Sequence, residues 1–370
     1  MLKQLTRFIF AATLICYSAN TFSQKNFNVI AYFSGKADQV ESIEANKLTH
    51  IIFSFCHLKG NRLAVDSKED SITISKLVGL KKNNPQLKVM LSLGGWSGCG
   101  PCSDVFNTSQ GREDFSQSVL ALNQYFKTDG IDLDWEYPSI EGYPGHTFRK
   151  EDKENFTSLV KSLRKNLGAN YEISFAAGGF KKYLEESVDW DLVTPLIDRI
   201  NVMSYDLVNG YSTVTGHHTP LYSDKQQPES VDFGVQWLIN HRVPKNKIVI
   251  GAAFYARVWQ DVPNINHGLY QSGKFMAGID YKKFDSEFST EKGFAYFWDE
   301  KTQAPYYYNS GKKLFATFDD KKSIFLKTKY VSDLGLQGIM FWEFTLDSKT
   351  DGLLDVIHNF KKKKSELNKK

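Results

Sequence analysis

The residues best suited to chemistry are three carboxylates that alternate along one short segment, Gly130–Pro138. One apolar residue separates Asp132 from Asp134 and another separates Asp134 from Glu136, and side chains two residues apart share one face of a strand. Neighbouring carboxylates then stand roughly 7 Å apart, and repulsion together with partial burial raises the pKa of at least one of them. The pattern predicts a proton donor near neutral pH, as general acid catalysis requires. A calcium-binding or merely solvated acidic strand end is the alternative interpretation.

The segments around these carboxylates predict a barrel of parallel strands and helices. Eight short runs rich in Ile, Val and Phe have the composition of strands buried on both faces, and amphipathic segments lie between them. Strand and helix alternating eight times is the pattern of a (β/α)8 TIM barrel, an α/β fold. The predicted strands are Val29–Ser34, His50–Leu58, Lys88–Trp96, Gly130–Pro138, Glu172–Gly178, Arg199–Leu207, Lys247–Ala256 and Gln337–Leu346.

The interval between the seventh and eighth predicted strands is much longer than the others. Residues 261–318 are rich in Tyr, Phe, Gly and Lys and contain short alternating runs, which are typical of antiparallel strands. The sequence therefore predicts a small α+β insertion between strands 7 and 8. The barrel that contains it, the expected catalytic domain, is expected to span residues 24–360.

The carboxylate segment also carries a family resemblance. Asp129, Asp132, Asp134 and Glu136 match the D-x-x-D-x-D-x-E signature of glycoside hydrolase family 18. The chain thus resembles the chitinases of this family, specifically the bacterial type that places an α+β insertion at this point of the barrel. The resemblance implies four catalytic residues, which are Glu136, Asp134, Asp132 and Tyr205, and it implies neither a cofactor nor a metal ion.

Further motifs similar to those of the family end other predicted strands, where the active sites of such barrels lie. The third strand ends in S-x-G-G from Ser92, whose two glycines permit close backbone approach, and Ser92 is expected to hydrogen-bond Asp132. The sixth ends in M-x-Y-D, and the seventh in a variant of Y-G-R with Ala256 where glycine is usual. The resemblance implies that the substrate-binding residues are Tyr32, Phe55, Ser92, Gly95, Trp96, Tyr137, Met203, Asp206, Tyr255, Arg257 and Trp342.

The placement of the carboxylates argues against the ordinary mechanism of a retaining glycosidase. That mechanism needs two carboxyl groups about 5 Å apart on either side of the sugar, whereas Asp134 and Glu136 point the same way from one strand. Family 18 is among the exceptions, in which the 2-acetamido group of the substrate acts as the nucleophile. The resemblance implies that Glu136 is the general acid and base, that Asp134 orients the acetamido N–H and Tyr205 holds its carbonyl, and that Asp132 tunes Asp134.

The expected function is therefore that of a secreted chitinase that hydrolyses β-1,4 linkages between N-acetylglucosamine units. An endo-β-N-acetylglucosaminidase that acts on N-glycans is one alternative, and a chitin-binding, lectin-like protein is another. The expected partners are chitin or chito-oligosaccharides, bound by a monomer.

The two ends of the chain have their own composition. Residues 1–23 combine Lys3 and Arg7 with an apolar run too short to span a membrane, which predicts a signal peptide and a secreted or periplasmic protein. Lipoprotein processing at Cys16 is the alternative. Residues 361–370 hold six lysines and are expected to form a basic disordered tail. These ends account for the formal net charge of +4, so no basic face argues for nucleic-acid binding.

Three cysteines follow the expected signal peptide. Cys99 and Cys102 enclose Gly-Pro, a spacing that also occurs at the helix start of thioredoxin-like proteins and in zinc sites that have two more ligands. In a secreted chain a local disulfide is favoured. Cys56 is then expected to be a buried free thiol.

Overall fold

The computed structural model describes residues 27–367, so the expected signal peptide lies outside the described residues. Fourteen strands occur in this part of the chain. Those of the first half are β1 Asn28–Phe33, β2 His50–Lys59, β3 Arg62–Ala64, β4 Lys88–Gly94, β5 Gly130–Asp134, β6 Glu172–Gly178 and β7 Arg199–Met203. Those of the second half are β8 Ile248–Ala253, β9 Tyr255–Gln260, β10 Lys274–Asp280, β11 Ala295–Asp299, β12 Ala304–Asn309, β13 Leu314–Thr317 and β14 Gly338–Trp342.

Eight of these strands close into a parallel barrel. They follow the order β1-β14-β8-β7-β6-β5-β4-β2, and β2 pairs with β1 to complete the ring. The short strand β3 only extends the end of β2 as an antiparallel hairpin. The predicted (β/α)8 barrel is confirmed.

Helices surround the barrel, with one exception. The helices are α1 Lys68–Gly79, α2 Cys102–Phe106, α3 Ser109–Phe126, α4 Asp152–Leu167, α5 Lys181–Glu186, α6 Trp190–Val193, α7 Val231–Asn240, α8 Phe284–Glu287, α9 Lys321–Leu334 and α10 Leu353–Leu367. The exception is α8, which belongs to the insertion. Helix α4 illustrates why they form, because its apolar residues recur at helical spacing and are buried against the strands at Phe156, Val160 and Leu163. Helix α3 starts where the Thr108 hydroxyl accepts a hydrogen bond from the Gly111 amide, a typical N-cap.

The barrel separates two apolar regions. Outward side chains of the strands pack with the helices in the main core, as alternation along a strand requires. Inward side chains such as Ile30, Ile52, Met90 and Met340 fill the barrel interior. The interior is therefore packed, and access to it is from the strand ends.

The insertion forms a separate antiparallel sheet in the order β10-β9-β13-β12-β11. It packs around an aromatic cluster that includes Phe284, Phe288 and Phe318. The predicted insertion between the seventh and eighth barrel strands, β8 and β14, is confirmed. Its sheet begins at Tyr255 rather than at residue 261, because β9 leaves the barrel directly after β8 and pairs with β10 and β13.

Two expectations need correction. Several predicted strands are too long at their carboxyl ends, and β5 in particular ends at Asp134, so that Glu136 lies beyond the strand. The expected disordered tail is wrong for residues 361–367, because α10 continues to Leu367. The Lys361 ammonium lies over the Phe27 ring at 5.7 Å, which holds the basic end of this helix against the body.

Within residues 27–367, no helix combines the length and the apolar character that a membrane crossing requires.

Candidate active site

The predicted catalytic carboxylates meet at the carboxyl end of β5. Asp132 and Asp134 lie on the strand and are buried, and Glu136 follows in the turn just outside it. Trp135 points to the opposite side, where its ring packs against Phe106 at 5.5 Å. The alternation therefore persists past the end of the strand, and the three carboxylates share one side as predicted.

Asp132 is held by four hydrogen-bond donors from four other strands. The Tyr32 hydroxyl donates at 2.9 Å, Ser92 at 3.2 Å, Ser174 at 2.6 Å and the Asn201 amide at 3.0 Å. The expected bond from Ser92 is confirmed. Burial raises the pKa of Asp132, while the donors oppose this rise, since hydrogen bonds to a carboxylate favour its charged form.

Asp134 and Glu136 are subject to neighbouring negative charges in addition to burial. Burial and the neighbouring charges of Glu136 and Asp132 raise the pKa of Asp134 well above its usual value. Its Oδ1 atom is buried without a hydrogen-bond partner among the described residues. Burial, followed by the charge of Asp206, raises the pKa of Glu136 to about 7. Both groups therefore keep a proton into the range where most carboxyls have lost theirs.

The two glycines after Ser92 are required by close packing. Gly94 and Gly95 have φ of 104° and 82°, a region that favours glycine. A methyl group on Gly94 would lie 2.3 Å from the carbonyl oxygen of Asp134, and one on Gly95 would lie 2.4 Å from the Phe55 ring. The Gly95 amide donates to the same Asp134 carbonyl at 2.9 Å. The two glycines therefore allow β4 to pack closely against the end of β5.

A second charged group faces the carboxylates from β7 and β9. Asp206 accepts hydrogen bonds from Arg257 at 2.7 and 2.6 Å and from the Tyr255 hydroxyl at 2.9 Å. His218 Nδ1 lies 3.5 Å from its Oδ1 atom. Burial alone would raise the pKa of Asp206, but the hydrogen bonds from Arg257 and the nearby His218 ring hold it well below the usual range. Asp206 is therefore a permanent negative charge near Glu136.

Tyr205 lies in the barrel mouth beside this group. Its ring meets Tyr255 edge-on at 6.3 Å, and its hydroxyl lies 3.8 Å from Met340 Sδ. Burial and the nearby acidic groups raise the pKa of Tyr205 well above its usual value, so it stays a neutral hydrogen-bond donor. Met203, on the same strand end, packs against the interior cluster.

An aromatic floor lies at the end of β14. The ring of Trp342 stacks on Phe55 at 5.6 Å with 16° between the planes, and it lies 5.8 Å from Tyr32. Trp342 is partly exposed. The three rings come from three different strands, and Tyr32 is 1% exposed, so the open faces of this group are those of Trp342 and Phe55.

A second aromatic group extends away from the floor. Trp96 is 37% exposed and is surrounded by the rings of Tyr137 at 6.2 Å, Tyr143 at 5.9 Å and Tyr211 at 6.1 Å. Tyr211 is 64% exposed. These rings come from loops after three strands and form an open apolar surface, which suits the faces of sugar rings.

Several residues of the site were not found from the sequence. Ser174 and Asn201 hold Asp132, His218 supports Asp206, and Tyr143 and Tyr211 flank Trp96. The first two are polar residues at inward positions of strands that are otherwise apolar, and this mismatch was a usable signal. The last three lie in loops, where polar and aromatic residues are common and carry no comparable signal.

One motif residue lies away from the site. Asp129 precedes β5 at the amino end of the barrel, where its carboxylate accepts the Val89 amide at 2.7 Å and pairs with Lys81 at 2.5 Å. It therefore fixes the start of the strand. Cys99 and Cys102 are bonded in the loop after β4, and Cys56 is free and buried. The described residues contain no group of three or more His, Cys, Asp or Glu side chains that could hold a metal ion.

Comparisons with known proteins agree with this geometry. The sequence profile of glycosyl hydrolases family 18 matches residues 13–347. The chain belongs to glycosyl hydrolases family 18. The solved structure of a family 18 N-acetylglucosaminidase from Paenibacillus barengoltzii is similar to this hydrolase with a TM-score of 0.83 and 36% identity, over 90% of this chain and 99% of that one.

Two curated relatives of this family 18 hydrolase are bacterial chitinases. Chitinase A1 from Niallia circulans is 32% identical over 314 residues, which are 78% of this chain and 45% of that protein. The chain therefore spans less than half the length of that relative. Chitinase B from Serratia marcescens is 26% identical over 408 residues, covering 92% of this chain and 81% of that protein.

Proposed function

We propose that this family 18 hydrolase is a secreted, monomeric chitinase that cleaves β-1,4 linkages between N-acetylglucosamine units with retention of configuration. One observation carries the proposal. Asp134 and Glu136 project from the end of a single strand, and burial with neighbouring negative charge raises the pKa of Asp134 well above its usual value and that of Glu136 to about 7. Such a pair acts on one side of a sugar, so the nucleophile has to come from the substrate.

Each residue of the site has a separate role in the proposed reaction. Glu136 donates its proton to the glycosidic oxygen while the acetamido oxygen of the sugar attacks C1, and the bond to the leaving sugar breaks. Asp134 turns toward the acetamido N–H and accepts a hydrogen bond from it through its unprotonated oxygen. This hydrogen bond and the ionised Glu136 together offset the positive charge of the oxazolinium intermediate. Glu136, now ionised, accepts a proton from the incoming water, which opens the intermediate from the same face. Tyr205 donates a hydrogen bond to the acetamido carbonyl, and Trp342 supports the ring.

The aromatic surfaces favour a chain of sugars over a single one. Trp342 and Trp96 belong to two separate ring groups, so at least two sugar units find a platform. The hydrogen-bonded group of Asp206, Tyr255 and Arg257 supplies polar side chains for the sugar hydroxyls, and Met203 and Tyr137 are assigned to substrate binding beside it. The names of the relatives, two of them chitinases, support the same substrate class.

A second mode of action has specific support. The similar structure from Paenibacillus barengoltzii is described as an N-acetylglucosaminidase, which favours the release of single N-acetylglucosamine units. The linkage and the chemistry are the same in both modes. The distribution of products from chito-oligosaccharides of increasing length distinguishes them, since an enzyme that releases single units at first yields the monosaccharide and the oligomer shortened by one unit.

Secretion is proposed from the composition of residues 1–23, and the basic charge of the leader is its support. Mass spectrometry of the protein recovered from the outside of expressing cells tests this proposal. A mature chain that begins close to residue 24 is the expected result, and an intact leader in all recovered material contradicts it.

The experiment for the activity compares the wild type with Glu136→Gln on a chito-oligosaccharide ladder and on fully deacetylated chitosan. The amide keeps the shape of the side chain but cannot cycle a proton, so turnover falls by about 10²-fold or more, while binding persists. Chitosan, which lacks the acetamido nucleophile, stays intact. Glu154→Gln on the exposed face of α4 is the matched control and keeps full activity. A wild type that binds but does not cleave the ladder would support the lectin-like alternative instead.

A further inference from the structure

A buried ion cluster lies inside the barrel at the end opposite the proposed active site. Arg199, at the start of β7, is 1% exposed and donates to Glu172 Oε2 at 2.5 Å and to Met90 Sδ at 2.6 Å. His50 Nε2 lies 2.9 Å from the guanidinium and 3.1 Å from the same Glu172 oxygen. The proposed mechanism uses none of these groups. A buried charge is costly unless it is needed.

The cluster lies one layer of side chains beneath Asp132. Glu172 and Arg199 precede Ser174 and Asn201 by two residues on β6 and β7, so each pair shares an inward face. Ser174 and Asn201 are two of the donors that hold Asp132. One layer corresponds to roughly 7 Å along a strand, a distance at which a buried charge is still felt.

The two charges of the cluster do not cancel at Asp132. The side chain of Glu172 is 27% exposed, against 1% for Arg199, so water screens the carboxylate and leaves the guanidinium largely unscreened. His50 adds no charge near neutral pH, because burial and the adjacent Arg199 lower its pKa to about 4. The net field that reaches Asp132 from below is therefore positive.

The other neighbours of Asp132 offer no competing cation. Tyr32 from β1, Ser92 from β4, Ser174 from β6 and Asn201 from β7 are neutral donors. Asp134, on the same strand, is the remaining titratable neighbour. The proton that Asp132 and Asp134 compete for is thus distributed by the four neutral donors and by the cation below.

We propose that Arg199 is a positioning residue for the reaction, whose buried cation keeps Asp132 ionised and thereby places the shared proton on Asp134, next to the acetamido group. This inference rests on the proposed function, because it assigns Asp132 and Asp134 to substrate-assisted hydrolysis. The effect of burial on Asp132, which raises its pKa, is countered in part by the charge of Arg199. Glu172 partly offsets the charge of Arg199, and His50 accepts a further hydrogen bond from its guanidinium.

Three variants with opposite expected effects test the proposal through the pH dependence of kcat/KM on a soluble chito-oligosaccharide. Arg199→Met removes the cation, so Asp132 binds a proton at higher pH. The acid limb of the profile, where kcat/KM falls with falling pH, therefore moves to higher pH by about half a pH unit or more. Glu172→Gln leaves the cation unopposed, so the acid limb moves down. Arg199→Lys keeps the charge, so the acid limb stays near that of the wild type.

The opposite signs separate electrostatics from damage to the fold, because instability cannot move the acid limb in both directions. If Arg199→Met fails to fold, Glu172→Gln and Arg199→Lys still test the proposal. In addition, Arg199→Met/Glu172→Gln removes both charges together, so that neither is left buried without its partner. An acid limb that is unchanged in the active variants, or that moves the same way in all of them, overturns the role of Arg199. A wild type without hydrolytic activity would instead overturn the proposed function, so the two failures are distinct.

Discussion

At the scale of residues, the location of one proton governs the proposed chemistry. Asp132 is surrounded by four donors that oppose the rise of its pKa on burial, whereas Asp134 has a buried oxygen without a partner among the described residues. Glu136 faces the permanent charge of Asp206, which is fixed by Arg257. Three carboxyl groups within five residues therefore have three different environments, and this difference is what separates acid, base and orienting roles.

The charge of Asp206 provides a prediction for the pH profile. Glu136 must be protonated to act as an acid, and its raised pKa of about 7 sets the basic limb of kcat/KM. In Asp206→Asn a contributor to this rise is lost, so the pKa of Glu136 falls and the basic limb moves to lower pH, by about half a pH unit or more. Asp333→Asn on the exposed face of α9 is the control. A basic limb that stays in place would show that Asp206 does not act on Glu136.

At the scale of elements, loops that follow the barrel strands present the aromatic side chains. Trp342 ends β14 and is supported from below by Phe55, whereas Trp96 follows the glycine pair of β4 and is open to solvent. Trp342 packs against rings from barrel strands, whereas Trp96 packs against rings from neighbouring loops. The two tryptophans therefore have different expected effects on substrates of different length.

Trp96→Ala is expected to reduce activity on crystalline chitin more than on a short soluble aryl glycoside, because stacking at a distant subsite acts only on long chains. Trp342→Ala is expected to reduce both activities, since it supports the ring at which binding energy is converted to rate. Kinetics on both substrates and thermal melts are measured together. Equal losses for Trp96→Ala on both substrates, with a stability loss of about 3–5 kcal/mol, would mean that Trp96 is a packing residue.

The loop that carries Trp96 also contains the bonded pair Cys99 and Cys102. A disulfide that closes so short a loop stabilises at the low end of the ~0–5 kcal/mol range. Thiol counting by mass spectrometry on natively secreted protein is expected to find one free thiol per mature chain, that of Cys56. Three free thiols would contradict the pairing. Cys56 itself is buried, and burial raises the pKa of its thiol, so it reacts only after unfolding.

The elements could be predicted from sequence where local composition determines them. Parallel strands buried on both faces read as continuous apolar runs, and all eight were found. Most of their carboxyl ends were placed too far along the chain, although β6 ends at Gly178 as predicted. In β5 the reason is that the alternation of Leu133, Trp135 and the acidic residues continues after the strand ends at Asp134. Ser174 and Asn201 were missed for a related reason, since only the closure of the barrel brings their strands around Asp132.

At the scale of the whole molecule, the barrel and the insertion share the site. Arg257 and Tyr255 lie on β9, the first strand of the insertion sheet, yet they hold Asp206 from the end of β7. These residues are far from Asp206 in the sequence. The motifs could therefore be recognised from the sequence, but the contact between them could not. The long interval after β8 predicted an insertion, and only the pairing of β9 with β13 showed that the insertion begins at Tyr255.

The end of the chain shows the limit of charge patterns as a guide. Four consecutive lysines predicted disorder from residue 361, but Lys361 covers the Phe27 ring, and Lys364 bonds the Ser332 hydroxyl on α9. Long side chains of this kind can pack their aliphatic stems along apolar surface. The helix α10 therefore continues to Leu367.

The central claim is that the acetamido group of the substrate is the nucleophile, and the anomer of the first product tests it most directly. Proton NMR of a chito-oligosaccharide during the first minutes of hydrolysis, before mutarotation, reports the configuration at the newly formed reducing end. Attack from within the sugar, followed by water from the same face as the leaving group, predicts the β anomer. Nascent product in the α configuration would mean direct displacement by water and would contradict the account.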